Sequence, residues 1–331
     1  MTTVIALDAM GGDDAPRSTV EGAVLAAAEG IPVALVGNSE ALGHELNARG
    51  GAPSGLRIVH APDVVAMGDR AAREVRRQRE TSLYVGMELV KAGEAGALVS
   101  MGNTGAAMTT ALVVLGRIKG VERPALGAVL PAGEGRVLFL DVGANADARP
   151  GHLVQFAHMG AAYMRSVFGV AEPRVALLSI GEEASKGSAL VTETHELLAK
   201  DARLRFTGNV ESREILLGSA DVIVTDGFTG NICLKLAEGI VGLLFDEMRA
   251  AAGASLRSKV GGALLLPALR GVRAKLDYRQ YGAVPLLGVE GGVFVGHGRS
   301  DGPAVAAAIQ TAHHAVEHRM LRALEESAAD V

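Results

Sequence analysis

The stretch from residue 220 to 238 combines a predicted strand, a glycine turn and a helix. The strand is the run Asp221–Thr225, whose β-branched residues are typical of a strand buried on both faces. The turn is Asp226–Asn231, where Gly227 and Gly230 permit a tight bend and a close approach of the backbone to a ligand. Apolar residues at helical spacing follow, which predicts a helix packed on a sheet. Such a unit forms an anion site, because free N–H groups and the helix dipole converge there.

The same unit recurs along the chain, and the recurrence predicts the fold. Apolar runs precede polar loops at 8–16, 101–105, 141–145 and 180–188. Alternating strands and helices indicate a doubly wound, mostly parallel α/β sheet with helices on both faces. Ligands of open sheets bind outside the carboxyl ends of the strands. We therefore expect one polar crevice built from several of these loops.

Capping and turn signals predict the bounds of further elements. Pro16 precedes a helix over Arg17–Ala28. Asn38 caps the next helix. Near the end of the chain, Val284–Val295 is predicted to form two strands around a glycine turn, and Ala304–Leu324 a single closing helix.

Composition limits the class of protein. The 331 residues are 49% hydrophobic, which suits one large α/β domain or two, and we expect one over 1–331. A formal net charge of -5 argues against nucleic-acid binding. The lone Cys233 excludes a disulfide framework and indicates a reducing cytosol. We expect no signal peptide in 1–20, and no apolar run of the roughly 20 residues that a membrane span needs.

Two segments depart from this pattern. Residues 250–282 mix leucines with arginines and lysines, and we expect a helical excursion that Gly261-Gly262 and Pro267 interrupt. An apolar and basic excursion suits a membrane surface, although a hairpin packed on its own domain or on a second subunit has the same composition. The charged segment 70–80 is interpreted as a solvated helix face, with a surface for an acidic partner as the alternative.

Nine motifs stand in the order found in one known family. They are DAMGGDDAP at 8–16, GNTGA at 102–106, RPAL at 123–126, LDVGAN at 140–145, IGEEASKG at 180–187, GNVESRE at 208–214, DVIVTDGFTGN at 221–231, YGAVPLLGV at 281–289 and HGRSDG at 297–302. Together they resemble the bacterial fatty acyl-acyl carrier protein:phosphate acyltransferases of phospholipid synthesis. Met101, Ser179 and Ser212 are small departures from the family pattern.

The resemblance implies a fold, an activity and partners. The fold is similar to phosphate acetyltransferases and the isopropylmalate dehydrogenase group. The activity is attack of inorganic phosphate on a long-chain acyl thioester of acyl carrier protein, and we expect no cofactor or metal. The position of Cys233 inside an apolar helix predicts, from the residues themselves, that no covalent acyl-enzyme forms. The implied partners are acylated carrier protein, inorganic phosphate, the membrane surface through 250–282, a second copy of the chain and a membrane glycerol-3-phosphate acyltransferase. We therefore expect a cytoplasmic protein that associates peripherally with membranes.

The chemistry of phosphate binding assigns the candidate site residues. Phosphate is already an anion at neutral pH, so the protein must hold it more than deprotonate it. The catalytic candidates are Lys186, Asn231 and Asn103. The substrate-binding candidates are Asp8, Gly102, Thr104, Gly105, Asp141, Asn145, Asp226, Gly227, Thr229, Gly230 and His297. Lys186 is expected to neutralise phosphate or the oxyanion that develops on the thioester.

Each assignment has a structural alternative. The strand-end aspartates and the asparagines are also typical turn and capping residues, and His297 is also typical of a hydrogen-bonded loop. Two other function classes stay open: a nucleotide- or metal-dependent dehydrogenase, in which strand-end acids hold a divalent ion, and a lipid-associated scaffold without activity. A sibling enzyme that uses acyl-coenzyme A is a further alternative.

Overall fold

The computed structural model describes residues 3–66, 79–276 and 282–329. They form an eleven-stranded sheet with helices on both faces. The strands are β1 Ile5–Asp8, β2 Val33–Gly37, β3 Leu56–His60, β4 Ala97–Ser100, β5 Ala125–Ala132, β6 Gly135–Leu140, β7 Arg174–Ser179, β8 Arg205–Glu211, β9 Val222–Val224, β10 Ala283–Leu287 and β11 Gly292–Gly296. The described helices are α1 Arg17–Ala28, α2 Ser39–Asn47, α3 Ser82–Lys91, α4 Thr104–Val114, α5 Pro150–Phe168, α6 Ala189–Lys200, α7 Gly227–Gly253, α8 Leu256–Leu276, α9 Gly302–Glu317 and α10 Met320–Ala329.

The sheet consists of two parallel groups of opposite direction. Its strand order is β3-β2-β1-β4-β11-β10-β5-β6-β9-β7-β8. Strands β1 to β4 and β11 are parallel, as are β6 to β9. Antiparallel pairing joins β11 to β10, β10 to β5 and β5 to β6. The predicted mostly parallel, doubly wound α/β fold is confirmed.

The antiparallel centre corrects one expectation about the site. Because β1 and β4 run opposite to β6, β7 and β9, the loops that follow the two groups leave the sheet in opposite directions. The crevice is therefore not lined by one row of carboxyl ends, although one cleft built from several of the predicted loops is found. Loops of the two groups approach each other instead at the centre, where β10 and β5 join them.

Both faces of the sheet are covered by buried apolar side chains. On β6, Leu138 and Leu140 pack on one face with Phe156 and Tyr163 of α5, whereas Phe139 packs on the other face. Successive strand residues point to opposite faces, so an uninterrupted apolar run is what a strand covered on both sides requires. The sheet thus provides a rigid frame for the loops at its centre.

Most predicted elements are found, and the closing helix is corrected. Helix α1 has the predicted bounds, the Asn38 side chain accepts hydrogen bonds at the start of α2, and β10 and β11 form the predicted antiparallel pair. The single helix predicted over Ala304–Leu324 is wrong, because the chain breaks between α9 and α10 at Arg319, whose φ is 56°. A left-handed residue cannot continue a right-handed helix.

Helices α7 and α8 form a hairpin that corrects two further expectations. Helix α8 runs without a break, so the interruption expected within 250–282 is wrong. In α7 only Gly227 and Gly230 are buried, so a helix packed on the sheet along its length is also wrong. The two helices contact each other closely, since a Cβ added to Gly262 lies 2.9 Å from the Cβ of Ala252.

The exposed apolar face of the hairpin is large. Helix α7, with 27 residues, is long and apolar enough to span a membrane by length and composition, and 6% of its most apolar stretch is buried. This contradicts the expectation that no apolar run reaches that length. Parts of the two unusual segments, 67–78 and 277–281, lie outside the described residues. The division into one domain with an excursion stays a prediction.

Candidate functional site

A cleft of about 670 Å³ opens at the centre of the sheet, where the two parallel groups meet. Strands β10 and β5 pair through two residue pairs, Leu286 with Leu126 and Leu287 with Ala125. Beyond these pairs the cleft begins, with Ala128 and Leu130 on one side and Val284 on the other. Its volume lies within the range of about 300–1,000 Å³ that small-molecule sites occupy.

The lining of the cleft combines apolar side chains with polar and glycine residues. The apolar lining comes from β5, β10, β11, α4, α7 and the loop after β6, namely Met108, Leu126, Ala128, Val129, Leu130, Val142, Ala144, Leu234, Ala283, Val284 and Val295. Polar and glycine residues complete it, namely Gly102, Asn103, Thr104, Gly105, Gly143, Asn231, Lys235, Glu238, Gly282, Gly296, His297, Gly298 and Ser300. An apolar slot with a few convergent polar groups is the usual form of a site for an amphiphilic ligand.

The turn at the start of α4 presents backbone N–H groups to this cleft. Asn103 caps the helix, and its Oδ1 accepts a hydrogen bond from the N–H of Ala106 at 3.0 Å. Thr104 and Gly105 are exposed at the cleft, and no described residue accepts from their N–H groups. Open amides at a helix N-terminus, beside the positive end of its dipole, are suited to bind an anion.

Asp8 lies behind this turn and does not line the cleft. The Ser100 hydroxyl donates to its carboxylate at 2.7 Å and accepts from the N–H of Gly102 at 3.0 Å. Burial raises the pKa of Asp8, and the hydrogen bond from Ser100 opposes that rise. The chain of contacts from Asp8 through Ser100 fixes Gly102, so the structure places Asp8 as a support of the turn.

The polar groups of the turn at the start of α7 form hydrogen bonds with the protein itself. Asp226 caps the helix, accepting from the N–H of Thr229 at 2.9 Å and from its hydroxyl at 2.7 Å. The N–H of Gly227 donates to the carbonyl of Asn145 at 2.8 Å. A Cβ on Gly230 would lie 1.9 Å from the carbonyl oxygen of Asp141, so only glycine fits there. These contacts join α7 to the loop after β6.

Asp141 organises that loop. Its carboxylate accepts hydrogen bonds from the backbone N–H groups of Leu126, Gly143, Ala144 and Asn145, and from the Asn145 side chain at 2.9 Å. The Asn145 amide also donates to the Pro124 carbonyl at 2.7 Å. Burial raises the pKa of Asp141, and these hydrogen bonds oppose the rise. Asp141 and Asn145 therefore position the loop at one side of the cleft.

Asn231 and His297 reach the cleft from opposite sides. The Asn231 side-chain amide donates to the carbonyl of Val142 at 3.0 Å. Gly143, with φ of 147°, passes so close that a Cβ there would lie 2.9 Å from the same amide nitrogen. His297 is exposed, and its Nδ1 accepts from the N–H of Arg299 at 3.3 Å. A neutral ring with this contact carries its proton on Nε2.

Two lysines, Lys186 and Lys235, differ in their access to the cleft. Lys186 lies on the exposed loop after β7, which the Ser179 hydroxyl holds through the Lys186 carbonyl at 3.0 Å, and it does not line the cleft. Lys235 does line it, one helical turn after Asn231, and sequence reasoning missed it. The spacing of four residues from Asn231 was the available signal, since residues at that spacing share a helix face.

The structure brings six of the predicted residues to one cleft. They are Gly102, Asn103, Thr104, Gly105, Asn231 and His297. Asp141, Asn145, Asp226, Gly227, Thr229 and Gly230 form the adjoining network instead, and Asp8 and Lys186 lie outside the lining. Within the described residues no group of three or more His, Cys, Asp or Glu side chains is arranged to hold a metal ion.

Solved structures identify the class of fold. The EutD phosphotransacetylase from Staphylococcus aureus is similar with a TM-score of 0.64 and 17% identity, over 95% of this chain and 94% of that one. The 4-hydroxythreonine-4-phosphate dehydrogenase from Klebsiella pneumoniae is similar with a TM-score of 0.58 and 14% identity, over 96% and 100% of the two chains. At these identities the likeness shows the fold alone, a phosphotransacetylase-like α/β fold.

Sequence relatives identify the family. Residues 3–322 match the profile of the family described as "Fatty acid synthesis protein". A "Phosphate acyltransferase" of Thermus thermophilus is 53% identical over 317 residues, covering 96% of each chain. That of Pelotomaculum thermopropionicum is 47% identical over 324 residues, covering 98% of this chain and 94% of its own. The chain belongs to this phosphate acyltransferase family of fatty acid synthesis, which confirms the resemblance.

Proposed function

We propose that the protein transfers a long-chain acyl group from acyl-acyl carrier protein to inorganic phosphate, producing an acyl phosphate for phospholipid synthesis. The observation that carries the proposal is the joining of an apolar slot to a turn with open amide groups. The slot suits an acyl thioester, and the open N–H groups of Thr104 and Gly105 suit phosphate. Family membership and the fold support the same transfer.

The reaction needs few protein groups. A phosphate oxygen forms a bond to the thioester carbonyl carbon, the carbon–sulfur bond breaks, and sulfur takes the electron pair. The proton of hydrogen phosphate passes to the sulfur, so acyl phosphate and free thiol form without another proton source. Thiols ionise near pH ~8.5, so the thiolate needs little help to leave. Holding both substrates in one cleft supplies much of the rate.

Direct attack is favoured over a covalent acyl-enzyme. Cys233 is the single cysteine of the chain and lies half-buried on α7. Burial raises the pKa of its thiol, and the Asp226 carboxylate adds to the rise. A thiol with a raised pKa is a poor nucleophile. Phosphate held at the α4 turn therefore serves as the nucleophile itself.

An assay with labelled phosphate tests the proposal. The full chain is incubated with acyl-carrier protein or acyl-coenzyme A, with and without phosphate, and thioester loss and label in acyl phosphate are measured. We expect loss that requires phosphate and is faster with the carrier protein. Asn231→Ala should lower turnover about 100-fold, as loss of a preorganised donor does. Thioester loss independent of phosphate, or reduction of NAD with hydroxy acids, would contradict the proposal.

We further propose that the α7–α8 hairpin docks on a membrane surface. Val260, Leu264 and Leu265 of α8 are 58%, 79% and 59% exposed, and Arg257 and Lys259 lie beside them. Apolar side chains insert among lipids, while basic residues near anionic headgroups contribute about 1 kcal/mol each. An acyl phosphate is amphiphilic, so release beside lipid suits the next enzyme, a membrane glycerol-3-phosphate acyltransferase, which transfers the acyl group to glycerol 3-phosphate.

Sedimentation with anionic vesicles tests the docking proposal. The wild-type chain should bind, less at high salt, and Leu264→Glu with Leu265→Glu should abolish binding and spare turnover. Leu197→Glu, on exposed α6, is the matched control. Analytical ultracentrifugation of the same variants tests the expected homodimer. If the wild-type chain does not bind vesicles and the double variant no longer forms a dimer, the hairpin is instead a contact between subunits.

A further inference from the structure

The residue at which α7 begins determines which of its side chains border the cleft. Asp226 fixes the first residue of α7, and Asn231, Leu234, Lys235 and Glu238 then recur at three- and four-residue spacing on the side toward the cleft. Such residues lie next to each other on one helix face. Lys235 therefore faces the cleft because of the cap, while Ile232, Leu236 and Ile240 of α7 do not line it.

Lys235 supplies a charge that the rest of the lining does not. Among the described residues that line the cleft it is the only lysine or arginine, and Glu238 is the only acid. No described carboxylate forms an ion pair with Lys235. Phosphate at neutral pH carries one to two negative charges, and amide groups alone supply only partial charges. A cation beside them strengthens each contact, because charge-assisted hydrogen bonds are about twice as strong as neutral ones.

The reach of Lys235 matches the position of the neighbouring donors. Lys235 is the fourth residue after Asn231, which places it about 6 Å farther along the helix axis. Helical side chains lean toward the N-terminus of their helix, so the ammonium group of Lys235 extends back over the turn that carries Asn231. The space between Asn231 and the α4 turn is thus within reach of its four-carbon stem.

We propose that Lys235 binds inorganic phosphate in the cleft and is the catalytic cation of the reaction. This assignment rests on the proposed function. Lys235 neutralises charge on the attacking phosphate, and Glu238, one turn farther along, repels the anion and keeps it on the side of Asn231. The two charges of the cleft thereby set the position of the nucleophile.

Charge-changing variants in the full chain test the assignment through the KM for phosphate. Lys235→Gln should raise that KM about 10- to 100-fold, the scale of one charge-assisted hydrogen bond, and leave the KM for the thioester within about twofold. Lys235→Arg should restore part of the affinity. Glu238→Gln should change the KM in the opposite direction. Lys200→Gln, which removes a charge on exposed α6, is the control and should change neither constant.

A binding measurement separates this inference from folding and from the reaction. Phosphate should raise the melting temperature of wild type and of Lys200→Gln but not of Lys235→Gln, since a ligand stabilises only a protein that binds it. An unchanged phosphate KM in folded Lys235→Gln would overturn the inference, as would a rise in the thioester KM alone or a phosphate defect confined to Lys186→Gln. A wild-type chain without phosphate-dependent thioester loss would instead overturn the proposed function.

Discussion

Two turns of this protein share a sequence pattern and differ in what they do. Gly102–Gly105 and Gly227–Gly230 both have glycine, any residue, threonine and glycine, and both lead into a helix. At α4 the cap is Asn103, inside the turn, so that the N–H groups of Thr104 and Gly105 stay open to the cleft. At α7 the cap is Asp226, before the turn, so that the turn is itself the first helical turn.

The position of the cap therefore decides the role of the glycines. In the α7 turn the N–H groups of Gly227 and Thr229 are already bonded, and Gly230 packs against a carbonyl of the neighbouring loop. In the α4 turn Gly102 is hydrogen-bonded to Ser100, whereas Gly105 and Thr104 are exposed with open amides. The α7 turn joins two elements, and the α4 turn presents donors to a ligand. A glycine-rich turn before a helix predicts an anion site only where the cap leaves the amides unpaired.

The largest expected effect in this comparison is on stability. Gly230→Ala places a Cβ 1.9 Å from the Asp141 carbonyl oxygen, so backbone must move and the network between α7 and β6 must open. We expect a loss of at least about 3 kcal/mol in the free energy of unfolding, as for strong overpacking. Urea denaturation measures it. Gly105→Ala, at the same position of the exposed α4 turn, is the control and should not be destabilised.

A stable Gly230→Ala protein would contradict the proposed division of roles. It would mean that the α7 turn tolerates movement and is free to bind a ligand. A loss of stability in Gly105→Ala would also contradict this division of roles, because the α4 turn would then be a packing turn.

Strands with a continuous apolar sequence were predicted better than strands whose extended form depends on hydrogen bonding to distant partner strands. Strands β1, β4, β6, β7 and β9 were predicted from short apolar runs. Strands β5 and β8 were missed, since β5 contains glycine, proline and alanines, and β8 has charged residues at both ends and Thr207, Gly208 and Asn209 in its middle. Their extended form depends on partners distant in the chain, which local propensity does not contain. Because β5 joins the two parallel groups, missing it also concealed their opposite direction.

For the site, the sequence predicted the kinds of residue better than their arrangement. The loops around Asn103 and Asn231 meet at the cleft, whereas Lys186 lies outside its lining. Apolar periodicity predicted a helix at α7, but periodicity alone does not show whether the apolar face packs on the sheet or is exposed. Asp226 and Thr229, three residues apart, are a capping signal that the α7 turn has and that distinguishes it from the α4 turn. This signal shows that the α7 turn is a packing turn only when the close contact of Gly230 is also known.

A proline substitution tests the open amides of the α4 turn, with an effect on turnover of intermediate size. Thr104 is the first residue of α4, where proline is tolerated, and Asn103 before it has the extended ψ of 116° that proline requires. Thr104→Pro should lower kcat/KM about 10- to 100-fold relative to Thr104→Ala, because only the proline removes the N–H group. The two variants should melt at similar temperatures. Equal activity in both would show that this amide binds no substrate.

The smallest expected effect concerns the thiol that follows the α7 turn. Cys233→Ala removes one half-buried sulfur from a helix whose first turn serves packing, so we expect a loss of stability of about 1 kcal/mol or less and nearly full activity. Steady-state rates and thermal melting measure both. Mass spectrometry of the wild-type chain during turnover with acyl-carrier protein should find no added acyl group. An acyl group trapped on Cys233 would show that α7 contributes a nucleophile, and the separation between a packing turn and a ligand-binding turn would no longer describe this site.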